Sequence, residues 1–156
     1  MDLFRFTEDE YRTKQSELLK KFGCIPSHSD SIWGIANGKI PTLMGQRAYR
    51  ELSDLYLAMA KYMHAKGKDF IELFKASSKY QLLDLKEGGL EKVMIEICGV
   101  ASPSCQIFTK KTMPIDEAIK TMPIPNTDCL NKNRKGFYLC MYSYSGYEFG
   151  DGHGQD

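Results

Sequence analysis

The sequence predicts an α+β protein in which an N-terminal helical bundle with a helical hairpin precedes a small C-terminal β-containing cysteine module. Apolar residues recur at helical spacing up to Gly88–Gly89, whereas the later apolar runs alternate as strands do. Of the five cysteines, all but Cys24 lie after that glycine pair. The chain has 156 residues, 42% of them apolar, which is enough to bury a core. We therefore expect a helical region at 1–88, a mixed module at 89–145 and a flexible tail at 146–156.

The first helix is predicted to follow Thr7. Thr7 and Glu10 have the spacing of a capping box, in which each side chain accepts a hydrogen bond from the backbone of the other residue. Gly23 ends the helix, because glycine enters the left-handed C-cap conformation without strain. The apolar residues that share one face are Tyr11, Leu18, Leu19 and Phe22.

A second, short helix is predicted from the cap residues Ser29–Ser31. Asn37–Gly38 is expected to end it, and Pro41 to confirm the break. Trp33 is interpreted as a core anchor, because burial of its large ring is strongly favourable. The other apolar residues of this helix are Ile32 and Ile35.

The third and fourth helices are predicted to form an antiparallel hairpin. Thr42–Ala65 reads as an amphipathic helix, and Lys66–Lys68 as the break after it. Asp69 and Glu72 form a second predicted capping box, and Gly88–Gly89 closes the last helix. Since only a few residues connect the two helices, they must pack against each other.

Strand patterns appear after Gly89. Lys92–Cys98 and 136–142 are predicted strands, and 106–109 is a shorter one. Ser102–Ser104 is a predicted turn. A short helix is predicted from Pro114 to Lys120, because proline suits the first helical position and acidic residues follow it.

Charge and targeting signals narrow the functional class. Lys plus Arg number 21 and Asp plus Glu number 20, so the chain is not a polybasic nucleic-acid binder. The N-terminus lacks the pattern of a signal peptide, and no apolar run is long enough to span a membrane. We therefore expect a cytoplasmic protein with no membrane association, in which cysteines are mostly reduced.

Four cysteines lie close together in sequence, at positions 98, 105, 129 and 140. Structural zinc sites usually contain pairs of cysteines two residues apart, and this spacing has none. On spacing alone, small buried core residues are therefore the favoured interpretation.

A resemblance to a known family raises the expectation of a metal. Cys105 to Met141 resembles the C-terminal module of Mu-type phage head-morphogenesis proteins, and more closely an uncharacterised family of bacterial and prophage proteins with the same module. The residues that carry it are Cys105, Pro114–Ala118, Met122–Cys129 and Gly136–Tyr142. Their order and approximate spacing match over about fifty residues. The upstream helices, with Ser27–Asp30 before Ile32, also resemble that family.

The resemblance implies a zinc-stabilised module with ligands at Cys105, Cys129 and Cys140. This chain departs from the family at Ser102, where the family has a cysteine. A serine hydroxyl is a poor zinc ligand, which leaves two alternatives. Either Cys98 from the preceding strand substitutes as the fourth ligand, which the family pattern does not imply, or the metal has been lost and packing keeps the fold. Zinc is the only cofactor that the sequence suggests.

The leading functional hypothesis is a non-enzymatic, phage- or prophage-related protein that acts through protein contacts, since the sequence contains none of the common catalytic motifs. A first alternative is a zinc-ribbon-like nucleic-acid binder that uses Lys132, Arg134 and Lys135. A second is a thiol-dependent enzyme centred on Cys105, or on Cys24 near His28.

Overall fold

The computed structural model describes residues 3–98, 111–126 and 139–144. In these ranges the chain is mostly helical and contains one small antiparallel sheet, in agreement with the predicted order of helices followed by strands. The chain divides into two compact units, of which the first ends at Asp84 and the second begins at Leu85. We describe each unit by itself, and the sequence-based boundary at 88–89 stays a prediction.

Four helices occupy the chain before the sheet. They are α1 (Glu8–Phe22), α2 (His28–Gly45), α3 (Tyr49–Ala65) and α4 (Ile71–Glu87).

Helix α1 begins and ends as the sequence predicts. The Thr7 hydroxyl accepts a hydrogen bond from the Glu10 amide at 3.2 Å, and the Glu10 carboxylate accepts one from the Thr7 amide at 2.8 Å. Gly23 adopts the left-handed conformation at φ 70°. The apolar face is only partly covered, because the side chains of Leu19 and Phe22 are 43% and 63% exposed.

Helix α2 differs from its prediction at both ends. Its cap is Ser27, which forms the capping box with Asp30, and the helix continues through Asn37–Gly38 and Pro41. Beyond the predicted break, Ile40 and Leu43 pack against the core. Full burial of an aliphatic side chain stabilises the fold by about 1.5–3 kcal/mol. Partial burial of Ile40 and Leu43 therefore offsets much of the cost of a proline in a helix interior, which is about 3 kcal/mol.

Helix α3 starts at Tyr49 and not at Thr42, because Thr42 still belongs to α2. Between the two helices Arg47 adopts φ 55°, and this left-handed residue turns the chain. The predicted break after α3 is confirmed, with Gly67 at φ 66°. The Asp69 carboxylate then accepts a hydrogen bond from the Ile71 amide at 3.0 Å at the start of α4.

Helices α3 and α4 form the predicted hairpin. The hydroxyl of Ser53 donates to the Ser77 carbonyl at 2.9 Å, and the hydroxyl of Ser77 donates to the Ser53 carbonyl at the same distance. The rings of Tyr56 and Tyr80 stack with centroids 5.5 Å apart. Two small serines thus allow the helix backbones to approach closely.

The core of the first unit lies between the N-terminal segment, α2 and α3. Trp33 packs against it, and its ring meets that of Tyr62 edge to face, with centroids 6.2 Å apart. The buried members of this core are Phe4, Phe6, Ile32, Ile35, Ala36, Leu55, Ala58 and Met59.

The second unit contains the sheet, with described strand order β2-β1-β3. Strand β1 (Lys92–Cys98) has the predicted bounds and pairs antiparallel with β2 (Thr112–Pro114) and β3 (Leu139–Tyr144). Strand β2 is three residues long and is not predicted from the sequence. Helix α5 (Ile115–Thr121) follows it directly, with Pro114 as the cap. Buried side chains of this unit include Val93, Ile95, Ile115, Ala118 and Ile124.

Several predicted features lie outside the described residues. They are the turn at Ser102–Ser104, the strand at 106–109, the start of the last strand at 136–138 and the tail at 146–156. These features stay predictions.

Candidate functional site

The cysteines predicted as zinc ligands are only partly within the described ranges. Cys98 ends β1 and Cys140 lies in the paired strand β3. The two are offset by one register position, because Cys140 is the partner of Ile97 and Cys98 that of Leu139. Cys105 and Cys129 lie outside the described residues. Across the described ranges, no group of three or more His, Cys, Asp or Glu residues is placed to hold a metal.

The residues of the two alternative hypotheses are also only partly described. The basic residues Lys132, Arg134 and Lys135 lie outside the described ranges. Cys24 is exposed in the linker between α1 and α2. His28 is the first residue of α2, and its Nδ1 is hydrogen-bonded to the Tyr11 hydroxyl at 2.8 Å. Among the described residues, the His28 ring therefore contacts Tyr11 of α1.

The described residues of the first unit form an open groove of about 380 Å³. The N-terminal segment, the second half of α2 and one face of α3 line it. A volume of roughly 300–1,000 Å³ is usual for a binding cleft. We refer to it as the α3 groove. Its full lining is Leu3, Phe4, Arg5, Phe6, Lys39, Leu43, Glu51, Asp54, Leu55, Leu57, Ala58 and Lys61.

The floor of the α3 groove is apolar and well supported. The rings of Phe4 and Phe6 stack with centroids 5.2 Å apart, and each side chain is 8% exposed. Leu55 and Ala58 of α3 lie in the same core cluster. Because these residues pack into the core of the unit, the floor is a continuation of that core that reaches the surface.

Charged residues surround this floor. Glu51 and Asp54 lie on the first two turns of α3, and Lys61 lies just before its last turn. No side-chain hydrogen bond or ion pair joins any of these three to another described residue. Charges that have no partner among the described residues can pair with a bound molecule.

Lys39 holds the α2 wall of the groove in place. Its ammonium forms an ion pair with Glu10 and lies 5.0 Å from the centre of the Phe6 ring. The hydrogen bond from Lys39, followed by that from the Thr7 backbone, lowers the pKa of Glu10 below its usual value. The start of α1 is thereby tied to α2 beside the groove.

The N-terminal wall depends on one unusual backbone conformation. Arg5 has φ 52°, which is uncommon for a residue other than glycine. The turn at Arg5 lets the flanking residues Phe4 and Phe6 both enter the core, while Arg5 itself stays exposed at the groove. A cationic side chain is thus displayed between two buried rings.

The α3 groove is not predicted from the sequence. Two signals were present: two phenylalanines immediately before the Thr7 cap, and acidic and basic residues on one face of the third helix. Neither pattern shows that segments distant in sequence meet.

In the described parts of the chain, no helix combines the length and apolar composition needed to cross a membrane.

Comparison with known proteins finds no relative of this chain. No protein-family model, no curated protein and no solved structure matches the chain.

Proposed function

We propose that this protein acts through protein contacts and that the α3 groove is where it binds a segment of its partner. The observation that carries the proposal is an apolar floor, continuous with the core, bordered by charged residues of both signs. Apolar anchors with surrounding polar contacts are the usual composition of a protein-binding surface. The groove is open, which suits a chain segment that enters from the side.

The groove also favours binding over catalysis. Its charged residues lie on the border of an open cleft, where Arg5, Glu51 and Asp54 are exposed and Lys39 and Lys61 are half-buried. Binding without chemistry requires only shape and charge, which this groove supplies.

The resemblance of the cysteine module supports a wider proposal. We propose that the binding partner belongs to a phage or prophage assembly, and that zinc held by Cys105, Cys129 and Cys140, with Cys98 as the fourth ligand, stabilises the second unit. Purified protein should then contain close to one equivalent of zinc, and a Cys129→Ser variant should lose it. Protein that carries no metal and stays folded in a chelator would remove the zinc proposal.

Selection from a displayed library of random peptides tests the groove proposal on the full-length chain. We expect enriched peptides whose binding is lost in Leu57→Lys, because that substitution places a charge beside the apolar floor. Arg50→Glu is the matched control, since Arg50 is exposed on the same helix but does not line the groove.

Circular dichroism of each variant separates lost binding from lost folding. If no peptide is enriched, or if folded Leu57→Lys binds as well as the wild type, the α3 groove is not the binding site.

A further inference from the structure

We propose that the occupant of the α3 groove is an amphipathic helix that runs antiparallel to α3, with acidic residues in its first turns and basic residues in its last. This inference rests on the proposed function and specifies the chemistry and direction of the partner. Charged residues of opposite sign lie at the two ends of the groove.

Acidic residues lie at one end of the groove. Glu51 and Asp54 belong to the first two turns of α3, and they face solvent. Leu43 of α2 lines the groove and lies near the short connection to α3. This end therefore presents two negative charges beside an aliphatic side chain.

Basic residues lie at the other end. Lys61 is seven residues after Asp54, which corresponds to about 10 Å along a helix. Phe4 meets the ring of Tyr62 edge to face with centroids 5.6 Å apart, so the N-terminal segment with Arg5 lies beside this last part of α3. Arg5 and Lys61 thus form a cationic end, with apolar floor between the two ends.

Direction follows from these two ends. A helix laid in the groove matches them only when its acidic residues face Arg5 and Lys61 and its basic residues face Glu51 and Asp54. An isolated helix is itself stabilised by acidic residues at its N-terminus and basic residues at its C-terminus. Both requirements are met at once when the partner runs antiparallel to α3, and they conflict when it runs parallel.

A second copy of the chain does not meet these requirements as well. Leu19 and Phe22 are exposed apolar residues at the end of α1, and Lys20 and Lys21 lie between them in sequence. Helix α1 has acidic residues in its first turn and Lys20 and Lys21 in its last, but Glu8 and Glu10 are already paired with Arg12 and Lys39 within the fold, so α1 of a second copy offers less free negative charge to the cationic end. A separate partner with the stated charge order is the better match.

The test uses two synthetic helical peptides of identical composition and opposite charge order. Both carry leucines on one face; one has glutamates first and lysines last, and the other has the reverse order. Fluorescence anisotropy of the labelled peptides with the full-length protein gives both affinities. We expect the glutamate-first peptide to bind about tenfold more tightly, and the difference to shrink at high salt.

A charge-reversed groove is the matched variant. The triple variant Glu51→Lys, Asp54→Lys, Lys61→Glu should bind the lysine-first peptide more tightly, while Arg50→Glu should keep the wild-type preference. Equal affinities of the wild type for both peptides would overturn the antiparallel assignment but leave the groove as a binding site. If neither peptide binds, both the direction and the groove proposal fail.

Discussion

The most informative single substitution is Pro41→Ala in the second half of α2. Helix α2 continues four residues beyond Pro41, to Gly45. Proline has no backbone N–H, so it cannot donate the helical hydrogen bond to the Asn37 carbonyl, and its ring clashes there. Alanine would restore that bond, and the side chain is exposed, so no core contact is lost.

The expected magnitude is the sum of two opposing effects. In a helix interior, alanine is more favourable than proline by about 3 kcal/mol. Losing proline also makes the unfolded chain more flexible, which destabilises by about 0.4–1 kcal/mol. We therefore expect the free energy of unfolding to rise by about 2 kcal/mol. If α2 instead ended at Asn37, only the second effect would remain and the variant would be less stable than the wild type.

Urea unfolding followed by far-UV circular dichroism measures this difference. Exposed Thr42 supplies a matched probe, because in a helix the variants Thr42→Ala and Thr42→Gly should differ in stability by about 1 kcal/mol. A Pro41→Ala variant that is no more stable than the wild type, together with equal stability of the two Thr42 variants, would refute a continuous α2.

Three further predictions concern packing and charge. Leu52→Ala should lower the free energy of unfolding by about 2–5 kcal/mol in a denaturant titration, because Leu52 is fully buried and the substitution leaves a cavity. By the same measurement Phe22→Ser should change it by less than about 0.5 kcal/mol, since Phe22 is largely exposed; a larger loss would mean that α1 packs through this residue. Glu10 has a lowered pKa in the folded state, so its stabilising effect is present above the usual glutamate pKa and is lost as the pH falls through the lowered value. Thermal melting across this acidic range should show wild-type stability converging on that of Glu10→Gln, and a constant difference would contradict the assignment.

The local start and stop signals were readable from the sequence. Thr7 and Glu10 cap α1, Gly23 ends it, and Gly67 separates α3 from α4, as predicted. Each of these features depends on residues at most four positions apart, because capping and left-handed turns satisfy backbone groups locally. The strand at Lys92–Cys98 was readable for the same reason, since its alternating pattern is complete within one segment.

The groove could not be predicted in this way. Its lining comes from Phe4 and Phe6, from Leu43 and from Leu55, which belong to segments separated by tens of residues. The pairing of amphipathic faces depends on how well their side chains pack together. A single sequence carries no direct signal of that pairing.

The sequence by itself determined the succession of helices followed by strands, the caps of α1 and most of the breaks, because propensity and capping act over one or two helical turns. Only the tertiary structure decided that α2 passes through Pro41, that Leu19 and Phe22 stay exposed, and that Arg5 stands above an apolar groove. The physical reason is the same in each case. Local residues set the cost of a conformation, but the burial that offsets the cost comes from segments distant in sequence.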